Sequence, residues 1–191
     1  MNRKALLFIV AVLASVALSA RADDPTNLVG NPGFETGTFS SWTQFGNTGF
    51  TGVGTSSPDG TLPHSGTYLA FFGPVGTDGG INQTLTAPAG AYIIDFWLAA
   101  GGGGATDHFS ASLGGVTFFT TVGIGAFSYM HITGVAVTGA NPVLQFTTEN
   151  GPSWWDLDDI NVVAVPEPGT LGLIGLGALG LVGALRKRLL V

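Results

Sequence analysis

The chain has 191 residues and no cysteine, which excludes disulfides, thiol chemistry and cysteine-based zinc sites. Its six basic residues (Arg3, Lys4, Arg21, Arg186, Lys187 and Arg188) all lie in the terminal segments, while its twelve acidic residues all lie between Asp23 and Glu167. Nucleic-acid affinity needs cations to neutralise phosphates, so a middle region with no Lys or Arg excludes nucleic acid and disfavours anionic lipid, leaving a divalent cation or a neutral sugar as compatible ligands.

The length allows one domain with appendages. Asn2-Arg3-Lys4 is a basic start, Ala5 to Leu18 an apolar run, and Ala20-Arg21-Ala22 supplies small residues before Asp23. That order predicts a secretory signal-peptide helix over 1–22, with Ala20 and Ala22 flanking the cut.

From Asp23 to Ala164 no segment sustains an apolar repeat at helical spacing. Short alternating runs punctuated by Gly, Pro, Asn and Asp predict an all-β antiparallel sandwich with little helix. A first strand is expected just before the Asn31-Pro32-Gly33 turn, after which Phe34 plugs the core and Glu35 follows. Strands are expected over Thr67 to Phe72 and Ile81 to Thr86. In the clearest strand, Ala91 to Ala99, period two puts Tyr92, Ile94, Phe96 and Leu98 on the core face, with Asp95 and Trp97 opposite. Phe109 to Thr121 predicts a hairpin about Gly114-Gly115. Phe127, Tyr129 and His131 share one face of the next strand, and Leu144 and Phe146 point inward from Val143 to Thr148. In the closing strand, Trp154 to Val163, only one of Trp154 and Trp155 can face inward, and parity puts Asp158 inward with Ile160 and Val162.

The carboxyl end has three parts in order: Val165-Pro166-Glu167-Pro168, an uncharged apolar run from Gly169 to Leu185, and the cluster Arg186-Lys187-Arg188. The apolar run is slightly shorter than the ~20 residues that span a hydrocarbon core, and snorkelling basic side chains can extend it. It predicts a transmembrane helix over 169–185 with a cytoplasmic basic tail over 186–191. A plain tail anchor shares those features. The two prolines are the difference, since they hold the backbone extended and present a single carboxylate to a processing enzyme.

This three-part end resembles the PEP-CTERM protein-sorting signal of Gram-negative bacteria, matched at Val165, Pro166, Glu167 and Pro168, at the helix and at the basic end. The resemblance implies a partner, an exosortase-type membrane protease, and a route across the inner membrane: transient anchoring by the helix, then the cell surface or an exopolysaccharide matrix. The middle region is similar to the galactose-binding-like jelly rolls of carbohydrate-binding modules. The residues that carry this are Asn27 to Gly37, His64 to Tyr68, Ala89 to Trp97 and Leu157 to Ile160. It implies a jelly-roll β-sandwich over 23–164, and fold alone does not assign a ligand.

Three chemistries are candidates. An inward Asp158 without a cationic partner is costly, and a metal ion is the simplest compensation. By the resemblance, a structural calcium would use Glu35, Asp158 and backbone carbonyls near Gly37 and Ser65; otherwise both acids are solvated strand ends. A polysaccharide platform would use Trp97 and Tyr129 as rings and Asp95 as a hydrogen-bonding group, unless the rings pack in the core. Hydrolysis has the weakest basis: His64, His108 and His131 form no Gly-x-Ser-x-Gly or His-Glu-x-x-His pattern. The expectation is a non-catalytic, carbohydrate-binding-like surface protein, with a purely structural matrix component as the alternative.

Overall fold

The computed structural model describes residues 26–165, together with Gly177. The signal peptide with Ala20 and Ala22, the residues Pro166 to Pro168, the rest of the expected transmembrane helix and the cluster Arg186 to Arg188 lie outside the described residues. Among the described residues no helix is long and apolar enough to cross a membrane.

Residues 26–165 form ten strands: β1 (Thr43–Gly46), β2 (Gly52–Gly54), β3 (Leu69–Phe72), β4 (Gly79–Thr84), β5 (Gly90–Ala100), β6 (His108–Leu113), β7 (Val116–Val122), β8 (Phe127–Thr138), β9 (Val143–Glu149) and β10 (Trp155–Ala164). They make two five-stranded sheets, ordered β1-β4-β9-β6-β7 and β2-β3-β10-β5-β8. All pairings are antiparallel. This is the two-sheet sandwich that the alternating sequence predicts.

The core lies between the sheets. Tyr92, Ile94, Phe96 and Leu98 of β5 are fully buried, as period two requires. Phe96 meets Phe146 of the facing sheet edge-to-face at 5.2 Å, and Phe109 meets Trp155 at 5.7 Å. Burying each such ring is worth about 2–3 kcal/mol, so this aromatic layer clamps the two sheets together. Phe34 is fully buried, although its φ of 57° lies in the left-handed region. It packs against Trp42 and Phe39 at about 6 Å. Trp155 is the tryptophan of the closing pair that faces inward, while the Trp154 indole reaches the Phe50 carbonyl at 3.0 Å.

Four local expectations change. Residues 27–30 form no ladder strand. They lie along β10 through Leu28 N–H to the Val162 carbonyl and through the Asn27 side chain, which bonds Val162 N–H and the Ile160 carbonyl. The short strands β1 and β2 were not anticipated, because each is only three or four residues with a single apolar side chain, Phe45 or Val53, and so no apolar alternation. In β8 a register shift between Leu98/Ala100 inserts one residue, so Phe127 packs on the core while Tyr129 and His131 keep the opposite face.

The fourth change matters most. β10 carries a register shift between Asp158 and Asn161, with Asp159 at φ 49°. The extra residue reverses parity. Asp158 pairs with Trp97 and therefore lies on the outer face with it, not inward with Ile160 and Val162. It is nonetheless fully buried.

Candidate functional site

The outer face of the β5-containing sheet collects most of the polar and aromatic side chains singled out above. Its rows follow from register. Val135, Ile93 and Val163 make an apolar row, and Thr133, Asp95 and Asn161 the next. His131, Trp97 and Asp158 follow. Beyond them Ala99 lies beside Asp156, with Tyr129 in the β8 irregularity.

The loop carrying His64-Ser65-Gly66 folds onto this face and is tied down by carboxylates. Asp158 Oδ2 accepts the amides of His64 (2.9 Å) and Ser65 (3.2 Å), while its Oδ1 accepts the Asp159 amide at 2.8 Å. Asp159 accepts the Ser65 hydroxyl and bonds His64 Nδ1, each at 2.7 Å. Glu35 accepts the amides of Thr67 at 3.0 Å and Tyr68 at 3.1 Å. Gly66, at φ 64°, lies so close to this carboxylate that a Cβ there would clash with it. The burial of Asp158 is thus offset by three backbone donors, so burial alone does not demand a metal. Desolvation still holds its carboxyl up at about 6, with the charge of Asp159 adding and the amides opposing.

Glu35, Asp158 and Asp159 surround Gly33: a Cβ there would lie 3.5 Å from both aspartate oxygens and 3.8 Å from Glu35 Cγ. Of the two backbone positions expected beside a cation, Ser65 is in this cluster, and Gly37, at φ 70°, packs against the Tyr68 ring. The donors are hard oxygens without a Lys or Arg anywhere in 26–165, a set that suits a calcium ion.

The aromatic residues are also brought together, but not as an open shelf. The His64 ring stacks on Trp97 at 3.8 Å and 15°, from the β10 side. His131, opposite Trp97 on β8, stacks at 4.8 Å and 18°. Tyr129 meets His64 edge-on at 5.3 Å. Asp95 is engaged as well, accepting from Asn161 Nδ2 and pairing with His131 Nε2, both at 3.0 Å. Open space lies beside this stack, in a cleft of about 560 Å³ lined by Thr61, Leu62, Ala99, Phe127, Ser128 and Tyr129.

One acid on this face, Asp156, was missed from sequence. Asp156 is fully buried and neither carboxylate oxygen has a hydrogen-bond partner. Burial pushes it up to about 7; Asp59 adds to the shift, and the Thr61 and Ser57 hydroxyls oppose it. The Tyr129 hydroxyl is also buried without a partner, and burial, then the charges of Asp156, Asp158 and Asp159, raise it well above an ordinary phenol. The outward parity of Asp156 relative to Trp155 was a usable signal; the closure of the 57–66 loop over it was not.

Comparison with known proteins matches both halves of the chain. A family model described as the PEP-CTERM protein-sorting motif covers residues 164–188. No curated protein sequence matches. Among solved structures, TmCBM61 in complex with β-1,4-galactotriose is similar with a TM-score of 0.59 at 21% identity, covering 73% of this chain and 99% of that one. The CBM22-1 xylan-binding domain of Paenibacillus barcinonensis Xyn10C has a TM-score of 0.54 at 15% identity, over 78% and 100% of the two chains. The K3 cleaved adhesin domain of Lys-gingipain from Porphyromonas gingivalis has 0.52 at 18%, over 71% and 99%. At these identities the likeness shows the fold. The chain therefore carries a PEP-CTERM sorting motif, which implies an exported surface protein, behind a β-sandwich of the carbohydrate-binding-module jelly-roll kind.

Proposed function

We propose that this protein is an exosortase substrate whose jelly roll is a non-catalytic polysaccharide-binding module at the cell surface or in the extracellular matrix. In this reading the helix over 169–185 anchors the chain transiently, and the protease acts at Val165-Pro166-Glu167-Pro168. The sorting-motif match over 164–188 carries this half of the proposal. The Val165 amide bonds the Ala91 carbonyl at 2.8 Å, so the sandwich reaches the residue where the tetrapeptide begins. Mass spectrometry of the extracellular form tests it. A mature carboxyl terminus close to 165–168 is expected, and Glu167→Ala should trap the chain in the membrane. An extracellular form still carrying Arg186-Lys187-Arg188 would oppose the reading.

The cleft beside Tyr129 carries the sugar half. Its volume suits a short glycan, its walls mix aromatic and hydroxyl groups, and its surroundings have no fixed cation. The similar structures described in complex with galactotriose and as xylan-binding make β-1,4-galactan and xylan oligosaccharides the first probes. Calorimetry should show binding to one of them. Tyr129→Ala should weaken it about tenfold, the size of one lost aromatic contact, whereas Trp97, covered by His64 and outside the cleft lining, should matter less. The cover of His64 over Trp97 favours the second reading, a purely structural matrix component. No affinity for any neutral glycan, with unbroken export, would decide for it. We also propose a structural calcium on Glu35 and Asp158, supported by the convergence of three carboxylates about Gly33.

A further inference from the structure

The opposite sheet carries a separate set of ligand-type side chains. His108 opens β6 and Glu149 closes β9, and the two are directly paired. Asp78 precedes β4, whose first residue, Gly79, pairs with Thr148. Asp78, Glu149 and His108 therefore form a row across the ends of three adjacent strands. Their inward neighbours Thr148 and Phe109 are fully buried, so His108 and Glu149 turn to the outer face together. One ligand atom from each of the three lies within 4.8 Å of the others.

The imidazole is what sets this cluster apart from a patch of acids. Its Nδ1 lies 3.2 Å from the Thr106 carbonyl and 3.9 Å from Glu149 Oε2. Its Nε2 lies 3.2 Å from Asp78 Oδ1. Every one of these oxygens is an acceptor only, when the carboxylates are ionised. A neutral imidazole has one N–H, so whichever nitrogen holds it, the other aims a lone pair at an oxygen. A second cation resolves that conflict, either another proton or a metal ion. The Thr106 carbonyl takes the Nδ1 hydrogen in the way that orients metal-bound histidines, leaving Nε2, 3.2 Å from Asp78 Oδ1, free to ligate. Among the described residues 26–165 there is no Lys or Arg to pair with either carboxylate.

We propose that His108, Asp78 and Glu149 hold a divalent transition ion of the zinc class. One imidazole nitrogen with two carboxylate oxygens suits that borderline class, whereas calcium prefers oxygen alone. The backbone around the cluster is already fixed. The Asp78 carbonyl accepts the Asn47 amide at 2.9 Å, and Glu149 Oε1 accepts the Gly76 amide at 3.2 Å. The Asp78 side chain is 54% exposed, so the cluster opens to solvent. Such an ion would clip the Asp78 turn to the ends of β6 and β9, and its solvent-facing side could accept a ligand from a second macromolecule.

The test uses the full chain in detergent, stripped by chelator, with zinc chloride as the probe. At pH 7.5, zinc at about a hundred times its Kd should raise Tm by roughly 5–10 °C. Calorimetry should show one site. His108→Gln should abolish both effects and Asp78→Asn should weaken affinity at least tenfold, while His64→Gln and His131→Gln keep it. Absence of saturable zinc binding, or binding that survives in His108→Gln, would overturn the proposal.

Discussion

Asp158→Ala is expected to lower stability by about 3 kcal/mol and to free the His64-Ser65-Gly66 loop from the aromatic face. Asp158 is the sole side chain that takes the amides of His64, Ser65 and Asp159 together, and it is fully buried. Removing it orphans three donors at a place where each unmade bond costs on the order of 1–3 kcal/mol, less what water recovers as the loop lifts. Asp159→Ala breaks the partly exposed contacts to His64 Nδ1 and Ser65 Oγ, and should cost about 1 kcal/mol or less. Urea unfolding of the two variants separates the cases; equal losses would refute the latch role of Asp158. The same variants report on calcium. Calcium added to chelator-stripped wild type should raise Tm, and Asp158→Ala should erase that response while Asp159→Ala weakens it. A calcium response absent from the wild type removes the cation from the account and leaves the amide latch standing.

The sheet-forming part of this molecule was legible because its signal is local. Alternation in Tyr92 to Leu98 reports which face is buried, and a Gly-Gly pair reports a hairpin, without knowledge of any distant residue. Trp155 against Trp154, and Phe34 as a core plug, followed from the same reasoning. What failed was parity carried across irregularities. Asp158 was placed inward because Ile160 and Val162 are inward, and the left-handed Asp159 between them cancels that inference. Phe127 was grouped with Tyr129 until the β8 register shift separated them. The site was legible as composition but not as contact. His64 was visible in His-Ser-Gly-x-Tyr, yet its stacking on Trp97 depends on a loop whose anchors lie more than ninety residues away, at Asp158 and Asp159. A ring predicted as an open platform is in fact covered, and no rule of spacing carries that information.

Asp156→Asn is expected to stabilise the protein at pH 8 and to leave it almost unchanged near pH 4. An aspartate in the unfolded chain titrates near 3.9, whereas the buried Asp156 is pushed up to about 7. Below about pH 4 both states hold the proton and the group contributes its full stability. As pH rises from about 4 to about 7 the unfolded chain releases the proton while the fold retains it, so stability falls with pH; above 7 the loss is complete. A shift of that size corresponds to roughly 4 kcal/mol, and Asp158, held at about 6, adds to the loss in the same direction. No Lys or Arg in 26–165 is available to reverse the trend, and the Thr61 and Ser57 hydroxyls, which oppose the shift from nearby, make no full hydrogen bond to either Asp156 oxygen. Asparagine keeps the shape, carries no charge, and brings an amide that can donate toward Asp59 or the Thr61 and Ser57 hydroxyls. Urea unfolding at pH 4.5 and pH 8 should therefore show wild type losing more stability at the higher pH than the variant, which gains about 2–4 kcal/mol there over wild type and keeps only the smaller loss that Asp158 brings. A variant less stable than wild type at pH 8 would mean that the ionised carboxylate is itself bound, by a cation in the space between Asp156, Asp59 and the Tyr129 hydroxyl, and the protonated-acid account would be wrong.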